Sequence, residues 1–217
     1  VNRNELRMPL FFQQQINENT RLGVWKIEET EEFFKGNVPQ HRDVTHPHKR
    51  LQHLAGRFLL QYLFSDFPYE LIQIADTRKP FLPDAQYHFS ISHCGDYAAV
   101  IVSSKYRVGV DVEWPQQKID IVKHKFMGTK EFTVLKMMDE RDELFKLTMA
   151  WSIKEAIFKW YGLGQLDFKK HMVIQQLYKE EELFTANCTL NRSMPMKLDV
   201  FAKNIEGNVL AWLVTEK

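Results

Sequence analysis

The spacing of apolar residues predicts two long helices, one early in the chain and one late. From Pro47 to about Phe64, apolar side chains recur at intervals of three and four, and the proline stands where a first helical turn tolerates it. A second helix is predicted from about Leu144 to Tyr161, ended by Gly162. Three shorter helices are predicted at residues 28–34, 119–126 and 129–138.

Alternation of apolar and polar residues predicts strands on both sides of each long helix. Three of them, at 87–92, 97–102 and 108–114, are joined by short turns, so we expect an antiparallel meander there. Each half thus has strands and one long helix, which predicts an α+β protein of two similar halves, a pseudo-dimer in one chain. The halves are residues 1–105 and 106–217, each an antiparallel sheet packed with a long helix, and the other strands lie at 8–16, 22–27, 71–75, 172–177, 196–202 and 209–214.

The composition is that of a globular protein with one large core or two small ones. Hydrophobic residues make up 44% of the 217 residues, and the net charge of only +1 argues against general nucleic-acid binding. No apolar run approaches the roughly 20 residues of a membrane span. Cys94 and Cys188 form neither a C-x-x-C motif nor a disulfide framework, so we expect a cytoplasmic protein.

The strand from Val108 to Trp114 separates two carboxylates from a row of valines. In a strand, Asp111 and Glu113 share one face with Gly109, and side chains two apart stand roughly 6 to 7 Å from each other. Two such carboxylates can bracket one divalent cation or one cationic group. We expect this face to be exposed to solvent and open beside Gly109. The alternative to a cation site is a half-buried strand whose acidic face is simply solvated.

Basic residues collect in two places in the first half. One is the turn Thr-Arg-Lys-Pro at 77–80, where Pro80 ends regular pairing and leaves Lys79 at the surface as a candidate anion ligand. The other is the polar face of the first long helix with the loop before it, which comprises Arg50, His53, Arg57, His41, Arg42, His46 and His48. The histidines in this second group do not have the spacing of a zinc finger, so we expect them to be solvated.

One stripe of the second long helix carries Trp151, Glu155 and Lys159 at intervals of four. Taken alone, this spacing indicates an exposed ion pair worth a few tenths of a kcal/mol. We expect the Trp151 ring to pack in the core, because aromatic residues on helices mostly do.

Four motifs occur together in the order and spacing of the 4′-phosphopantetheinyl transferases. They are Arg-Lys-Pro at 78–80, Phe-Ser-Ile-Ser-His at 89–93, Gly-Val-Asp-Val-Glu at 109–113 and Trp-Ser-Ile-Lys-Glu-Ala-Ile-Phe-Lys at 151–159. The chain resembles the longer, surfactin-synthetase-activating type, in which a single chain holds two similar halves. The resemblance implies a monomer with its active site in the crevice between them.

The resemblance also implies a reaction. The phosphopantetheine arm of coenzyme A would pass to a serine of an apo acyl or peptidyl carrier protein, with Mg2+ as cofactor and 3′,5′-ADP as product, as in holo-[acyl-carrier-protein] synthase. Carboxylates that bind magnesium are a usual means of neutralising a pyrophosphate for attack.

The resemblance assigns roles to the candidate residues. Asp111, Glu113 and Glu155 would form the magnesium site, although Glu155 is also a candidate for the general base. Glu131 is a second candidate for the base, and Lys159 would contact the pyrophosphate and stabilise the leaving phosphate. The coenzyme A phosphates would be held by Lys79, Ser92, His93 and Lys159, with Arg57, or else Arg50 or His53, at the 3′-phosphate.

Two other classes of protein remain open. A non-catalytic coenzyme A or nucleotide-binding module would bind the same ligand without transfer. A purely structural α+β protein would leave the carboxylates solvated. Magnesium-dependent protection by coenzyme A against thermal unfolding distinguishes the structural class from the other two.

Overall fold

The computed structural model describes residues 10–38, 44–140 and 142–216, so predictions at residues 8, 9, 41 and 42 lie outside the described residues. The helices are α1 (Glu31–Lys35), α2 (Pro47–Leu63), α3 (Gln117–Phe126), α4 (Thr129–Lys136) and α5 (Glu143–Tyr161). The strands are β1 (Leu10–Asn17), β2 (Thr20–Lys26), β3 (Gln73–Ile74), β4 (Pro80–Phe81), β5 (His88–Cys94), β6 (Tyr97–Ser103), β7 (Arg107–Glu113), β8 (Met172–Glu180), β9 (Leu183–Leu190), β10 (Met196–Ile205) and β11 (Asn208–Thr215). The α+β class with antiparallel sheets is confirmed.

The first sheet is antiparallel, with strand order β1-β2-β6-β5. Helix α2 covers one face and buries Leu54 and Leu59 against it. Gly23 lets the helix approach, because a Cβ there would lie 3.2 Å from the side chains of Leu59 and Leu63. Helix α2 begins with Pro47 in its first turn, as predicted.

The second sheet is antiparallel, with strand order β7-β11-β10-β9-β8, and α5 packs on it. Asp142 caps α5 by accepting hydrogen bonds from two backbone N–H groups, and Gly162 ends it in the left-handed conformation. The open space expected beside Gly109 is occupied by α5, because a Cβ at Gly109 would lie 2.3 Å from the backbone oxygen of Ala156. Only glycine allows β7 and α5 to come this close.

The predicted three-stranded meander is wrong at its third strand. β5 pairs with β6, but β7 pairs with β11 and belongs to the second sheet. β7 still lies beside β5, since the backbone N–H groups of Val110 and Val112 donate to the hydroxyls of Ser90 and Ser92 at 3.1 and 3.2 Å. Serine side chains therefore satisfy the outer edge of the second sheet, where a strand would otherwise be needed.

A third hydrophobic core joins the two sheets. It buries Val108, Val110 and Val112 of β7, which confirms that these valines share one face. The first sheet contributes Leu22 and the second contributes Trp212. β4 and β9 were not predicted, and Pro80, which was expected to end regular pairing, begins β4 and pairs with Ile74. Of the helices in the described part of the chain, none combines the length and apolar character that crossing a membrane requires.

Candidate active site

Polar side chains from both halves meet where β5, β7 and α5 come together. Asp111 of β7 lies at the centre. It is 2% exposed, so the expectation that it faces solvent is wrong. The reason is that α5 covers the face of β7 that carries Gly109 and Asp111.

Three donors hold the Asp111 carboxylate. Oδ1 accepts from Lys159 Nζ at 2.6 Å and from the Ser92 hydroxyl at 2.8 Å, and Oδ2 accepts from the Ser152 hydroxyl at 2.9 Å. Lys159 also donates to the Ser92 hydroxyl at 2.7 Å. A buried carboxylate needs such donors to offset the loss of hydration. Lys159 thus bonds Asp111 in its own half and Ser92 in the other half, and it is not the exposed partner of Glu155 that helix spacing alone suggests.

Glu113 lies further along β7 and is half-buried. One carboxylate oxygen accepts from the Cys94 thiol at 3.3 Å and the other from the Trp151 indole N–H at 3.4 Å. Burial, together with the charge of Asp111, raises the pKa of Glu113. The Trp151 ring stacks on Phe168, so it packs as expected while its N–H reaches the acidic group.

Glu155 projects from α5 into a cavity of about 220 Å³ between the halves. Burial, then the negative charge of Asp111, raises its pKa to about 7, against the opposing effect of Lys159. The cavity is lined by residues 77–80 and 89–91 of the first half and by Glu155, Phe158 and Lys159 of α5. A carboxyl group with this pKa can accept or release a proton near neutral pH.

The carboxylates are coupled electrostatically but are not assembled around a vacant coordination position. Within residues 10–38, 44–140 and 142–216, no three His, Cys, Asp or Glu side chains are grouped so as to hold a metal ion. The ammonium group of Lys159 is the cation that meets Asp111 in this structure.

A second cavity, of about 180 Å³, brings cationic side chains together beside the first. It is lined by His53 and Arg57 of α2, by Arg78 and by His93 of β5. Arg50 lies apart from it, because its guanidinium bonds Glu31 at 2.8 Å and the backbone oxygen of Val44 at 2.7 Å. Arg78 was assigned no role from the sequence, although it belongs to the Arg-Lys-Pro motif and lies next to Lys79.

Lys79 has another contact than the one predicted for it. Its ammonium group donates to the backbone oxygens of Lys159 at 2.6 Å and Trp160 at 3.3 Å, at the end of α5. Arg107 donates to the backbone oxygens of Trp160 and Tyr161. The last carbonyl groups of a helix have no N–H partner within it, and cations near a helix C-terminus stabilise the helix. Burial, together with the charge of Arg107, lowers the pKa of Lys79 to about 8.

The structure does not bring Glu131 into the acidic group. Glu131 is buried at the start of α4, where it accepts from the backbone N–H groups of Gly128 at 2.8 Å and Ile174 at 3.0 Å. It also pairs with the buried ammonium of Lys154 at 2.7 Å. These contacts tie α4, β8 and α5 together inside the second half.

Comparison with known proteins gives a match over part of the chain. Residues 107–197 match the family described as the 4′-phosphopantetheinyl transferase superfamily. The matched segment contains β7 with Asp111 and Glu113, and α5 with Glu155 and Lys159.

Two of three individual relatives are named as phosphopantetheinyl transferases, and the third is a component of enterobactin synthase. The human L-aminoadipate-semialdehyde dehydrogenase-phosphopantetheinyl transferase is 29% identical over 159 residues, which cover 60% of this chain and 52% of that protein. Enterobactin synthase component D of Shigella flexneri is 29% identical over 162 residues, which cover 69% and 76%. A putative 4′-phosphopantetheinyl transferase of Haemophilus influenzae is 26% identical over 144 residues, covering 62% and 60%.

The chain spans about half the length of the human relative. The printed names of the human and Haemophilus relatives agree with the description of the family that residues 107–197 match. Over that segment, the chain is similar to the 4′-phosphopantetheinyl transferase superfamily.

Proposed function

We propose that this protein transfers the 4′-phosphopantetheine arm of coenzyme A to a serine hydroxyl of an apo acyl or peptidyl carrier protein, releasing 3′,5′-ADP. One observation carries the proposal: Lys159 bonds Asp111 of its own half and Ser92 of the other half, and it lines, with Glu155, a cavity between the halves that lies beside a cavity lined by cations. The names of the relatives agree with it. The surfactin-synthetase-activating type is the proposed subtype, because one chain supplies two sheet-and-helix units.

The nucleotide end of coenzyme A fits the cationic cavity. Arg57, Arg78 and His93 line it, and guanidinium groups suit the geometry of a phosphate. Lys159 lines the neighbouring cavity into which Glu155 projects, which we call the reaction cavity, and there it would meet the pyrophosphate. Ser92 and Lys79 contribute to coenzyme A binding indirectly, by positioning other groups of the site. The Ser92 hydroxyl bonds Asp111, and the Lys79 ammonium bonds the end of α5.

The donor set fits a magnesium ion in its chemistry. Asp111, Glu113 and Glu155 supply carboxylate oxygens, the ligands that magnesium prefers, and burial, then the charge of Asp111, raises the pKa of Glu155. These three residues would hold the ion once Lys159 turns from Asp111 towards the substrate. The ion would supply positive charge against the pyrophosphate.

The residues of the chain perform the proton transfers. Where Glu155 acts as the general base instead of as the third magnesium ligand, its carboxylate, with a pKa of about 7, accepts the proton of the carrier serine as the serine oxygen bonds to the β-phosphorus. The bond from that phosphorus to the 3′,5′-ADP oxygen breaks, and Lys159 stabilises the charge that develops there.

Glu131 is assigned to holding α4 and β8 against α5, because its carboxylate is already bonded to Lys154 and two backbone N–H groups.

The architecture supports a monomeric pseudo-dimer of residues 1–105 and 106–217, with the active site in the crevice. In each half a long helix crosses a sheet over a glycine, Gly23 under α2 and Gly109 under α5. Coenzyme A and an apo carrier protein are the proposed partners, in the cytoplasm, without nucleic acid or membrane.

The test combines the purified protein, coenzyme A, magnesium and several apo carrier proteins, with intact mass of each carrier as the readout. We expect a carrier to gain the mass of phosphopantetheine, and a chelator to abolish the gain. Protection by coenzyme A against thermal unfolding without modification of any carrier would instead indicate a non-catalytic binding module. The absence of both effects would indicate a structural protein.

A further inference from the structure

The basic turn at residues 77–80 belongs to the first half, yet its side chains hold the end of α5 in the second half. The Thr77 hydroxyl donates to the backbone oxygen of Gly162 at 2.9 Å. The Lys79 ammonium donates to two more backbone oxygens in the last turn of α5, at 2.6 and 3.3 Å. Because carbonyl groups at the end of a helix have no N–H partner within it, these bonds fix the final turn of α5.

Two glycines at the end of α5 let the basic turn come this close. A Cβ at Gly162 would lie 2.7 Å from the side chain of Lys79, and a Cβ at Gly164 would lie 3.2 Å from the Thr77 methyl group. Both glycines have positive φ angles, 71° and 67°, which other residues rarely adopt. The chain after α5 is therefore shaped to receive both side chains of the basic turn.

Arg78 stands between these two residues and serves a different surface. It lines both the reaction cavity and the cationic cavity. Its φ is 66°, in the left-handed region that a residue with a side chain adopts at a cost. Backbone strain of this kind is common at ligand sites. The basic turn thus carries a guanidinium group at the boundary of the two cavities and bonds α5 through the residue on either side of it.

The last turn of α5 is also the turn that carries Lys159. The Lys159 ammonium bonds Asp111 and Ser92, and its backbone oxygen is one of the two that Lys79 holds. The position of the helix backbone therefore determines where the ammonium group lies. A misplacement of about 1 Å is enough to remove much of the rate of an enzyme. The basic turn is placed to control the position of Lys159.

We propose that Thr77 is a positioning residue, and that the basic turn couples the binding of a nucleotide phosphate at Arg78 to the placement of Lys159. This rests on the proposed function. A phosphate held by Arg78 restrains the turn, the restrained turn holds the end of α5 through Thr77 and Lys79, and Lys159 is thereby fixed against the pyrophosphate. Binding energy from the nucleotide, which takes no part in the bond exchange, is used in this way to raise kcat.

The first test removes the Thr77 hydroxyl and keeps the shape of the side chain. Thr77→Val should lower kcat roughly fivefold or more with little change in the KM for coenzyme A, and Thr77→Ser should recover most of the rate. Thr133→Val is the matched control, because Thr133 is also exposed but stands on α4 and lines neither cavity. Steady-state transfer to one apo carrier is the measurement. Equal kcat values for Thr77→Val and Thr133→Val would overturn the proposal.

A double-mutant cycle shows whether Thr77 acts through Lys159. In a Lys159→Ala background, Thr77→Val should lower kcat by no more than about twofold, because the group that it positions has already been removed. The same fold loss of kcat in both backgrounds would show that Thr77 affects turnover independently of Lys159, and the positioning role would be wrong.

Hydrogen exchange tests the coupling without relying on turnover. The probe is 3′,5′-ADP at a saturating concentration, and the readout is exchange at the backbone amides of residues 160–164. The nucleotide should slow this exchange in the unmodified protein and in Thr133→Val. The slowing should be lost in Thr77→Val, and also in Arg78→Gly, which removes the guanidinium and accommodates the positive φ. Equal slowing in Thr77→Val and in the unmodified protein would overturn the coupling.

The two proposals fail in different ways. If the unmodified protein neither binds coenzyme A nor modifies any carrier, the proposed function is wrong, and the coupling is wrong with it. If the protein modifies a carrier, yet Thr77→Val transfers as fast as Thr133→Val, only the coupling through the basic turn is wrong.

Discussion

At the scale of single residues, the candidate site depends on one buried carboxylate and the cation that bonds it. Asp111 accepts three hydrogen bonds: Lys159 and Ser152 donate from α5 of the same half, and Ser92 donates from the other half. A buried ion pair gives little net stability, but removing one partner leaves an unpaired charge in the interior. The same pair can therefore affect both stability and activity, and these effects must be measured separately.

For Asp111, we expect Asp111→Asn to abolish transfer and to destabilise the fold by about 1 to 3 kcal/mol, since Lys159 loses its counter-ion while the amide keeps the shape. Asp120→Asn is the control, because it removes a carboxylate from the Lys123 ion pair on α3, which is far more exposed. Urea unfolding and carrier modification measure the two effects. Normal transfer by Asp111→Asn would contradict the assignment.

For Lys159, we expect Lys159→Ala to lower turnover by roughly 100-fold or more, with little change in the KM for coenzyme A, because the charge it meets grows as the phosphate bond breaks. Lys159→Arg should recover only part of the rate, since a planar guanidinium replaces a compact ammonium. Steady-state rates over a range of coenzyme A concentrations separate kcat from KM. A raised KM with normal kcat would assign Lys159 to substrate binding.

At the scale of elements, the site exists because α5 approaches β7 without an intervening side chain. The sequence predicted both elements and the valine face of β7, because their periodicities are local. It did not predict that β7 pairs with β11, since a strand's partner depends on residues about a hundred positions away. The sequence also did not show that Asp111 is buried. The face of β7 that carries Gly109 and Asp111 was expected to be exposed to solvent, whereas α5 covers it.

β9 was missed for a different reason. Two of its buried positions hold the small residues Ala186 and Cys188 among polar neighbours, so the apolar alternation is weak. The contact that Lys79 makes was also not predicted. A lysine in a basic turn indicates an anion-binding residue, and only the folded chain shows that the carbonyls at the end of α5 lie within its reach.

For Gly109, we expect Gly109→Ala to destabilise the protein by about 1 to 3 kcal/mol and to lower transfer sharply. The added Cβ would lie 2.3 Å from the backbone oxygen of Ala156, so α5 must move and carry Lys159 away from Asp111. Gly36→Ala is the matched control, because its nearest contact would be an ordinary 3.5 Å. Calorimetry and transfer rates are the measurements, and a Gly109→Ala protein that matches Gly36→Ala would disprove this packing argument.

For Lys79, the prediction is a dependence of stability on pH. Its pKa falls from 10.5 to about 8 on folding, so between these values the unfolded chain holds a proton that the folded protein has released. Stability should therefore rise with pH across this window, and Lys79→Met should remove that contribution. Urea unfolding from pH 7.5 to 10 measures it, with the exposed Lys49→Met as control for the loss of a charge. Parallel pH profiles for Lys79→Met and the unmodified protein would refute the shift.

At the scale of the whole molecule, three kinds of contact join the halves. A shared hydrophobic core buries residues of both sheets, the hydroxyls of Ser90 and Ser92 satisfy the edge of β7, and Lys79 bonds the end of α5. The catalytic candidates depend on these contacts, since Ser92 of the first half reaches Asp111 and Lys159 of the second half only when the crevice is closed. Family motifs in the sequence indicated the candidate residues, but the contacts that hold them together could be seen only in the fold.

The last prediction is that the halves unfold as one unit, although each has a core of its own. Leu54 is fully buried in the core of the first half under α2, and Leu54→Ala should destabilise the protein by about 2 to 5 kcal/mol. Because the shared core makes each half depend on the other, amide protection should fall equally in β6 of the first sheet and β10 of the second. Ile153→Ala, in the core of the second half, is the mirror-image control and should produce the same joint loss. Hydrogen exchange read strand by strand is the measurement. If Leu54→Ala lowers protection in β6 and leaves β10 unchanged, the halves are independent domains, and the crevice can open without unfolding either of them.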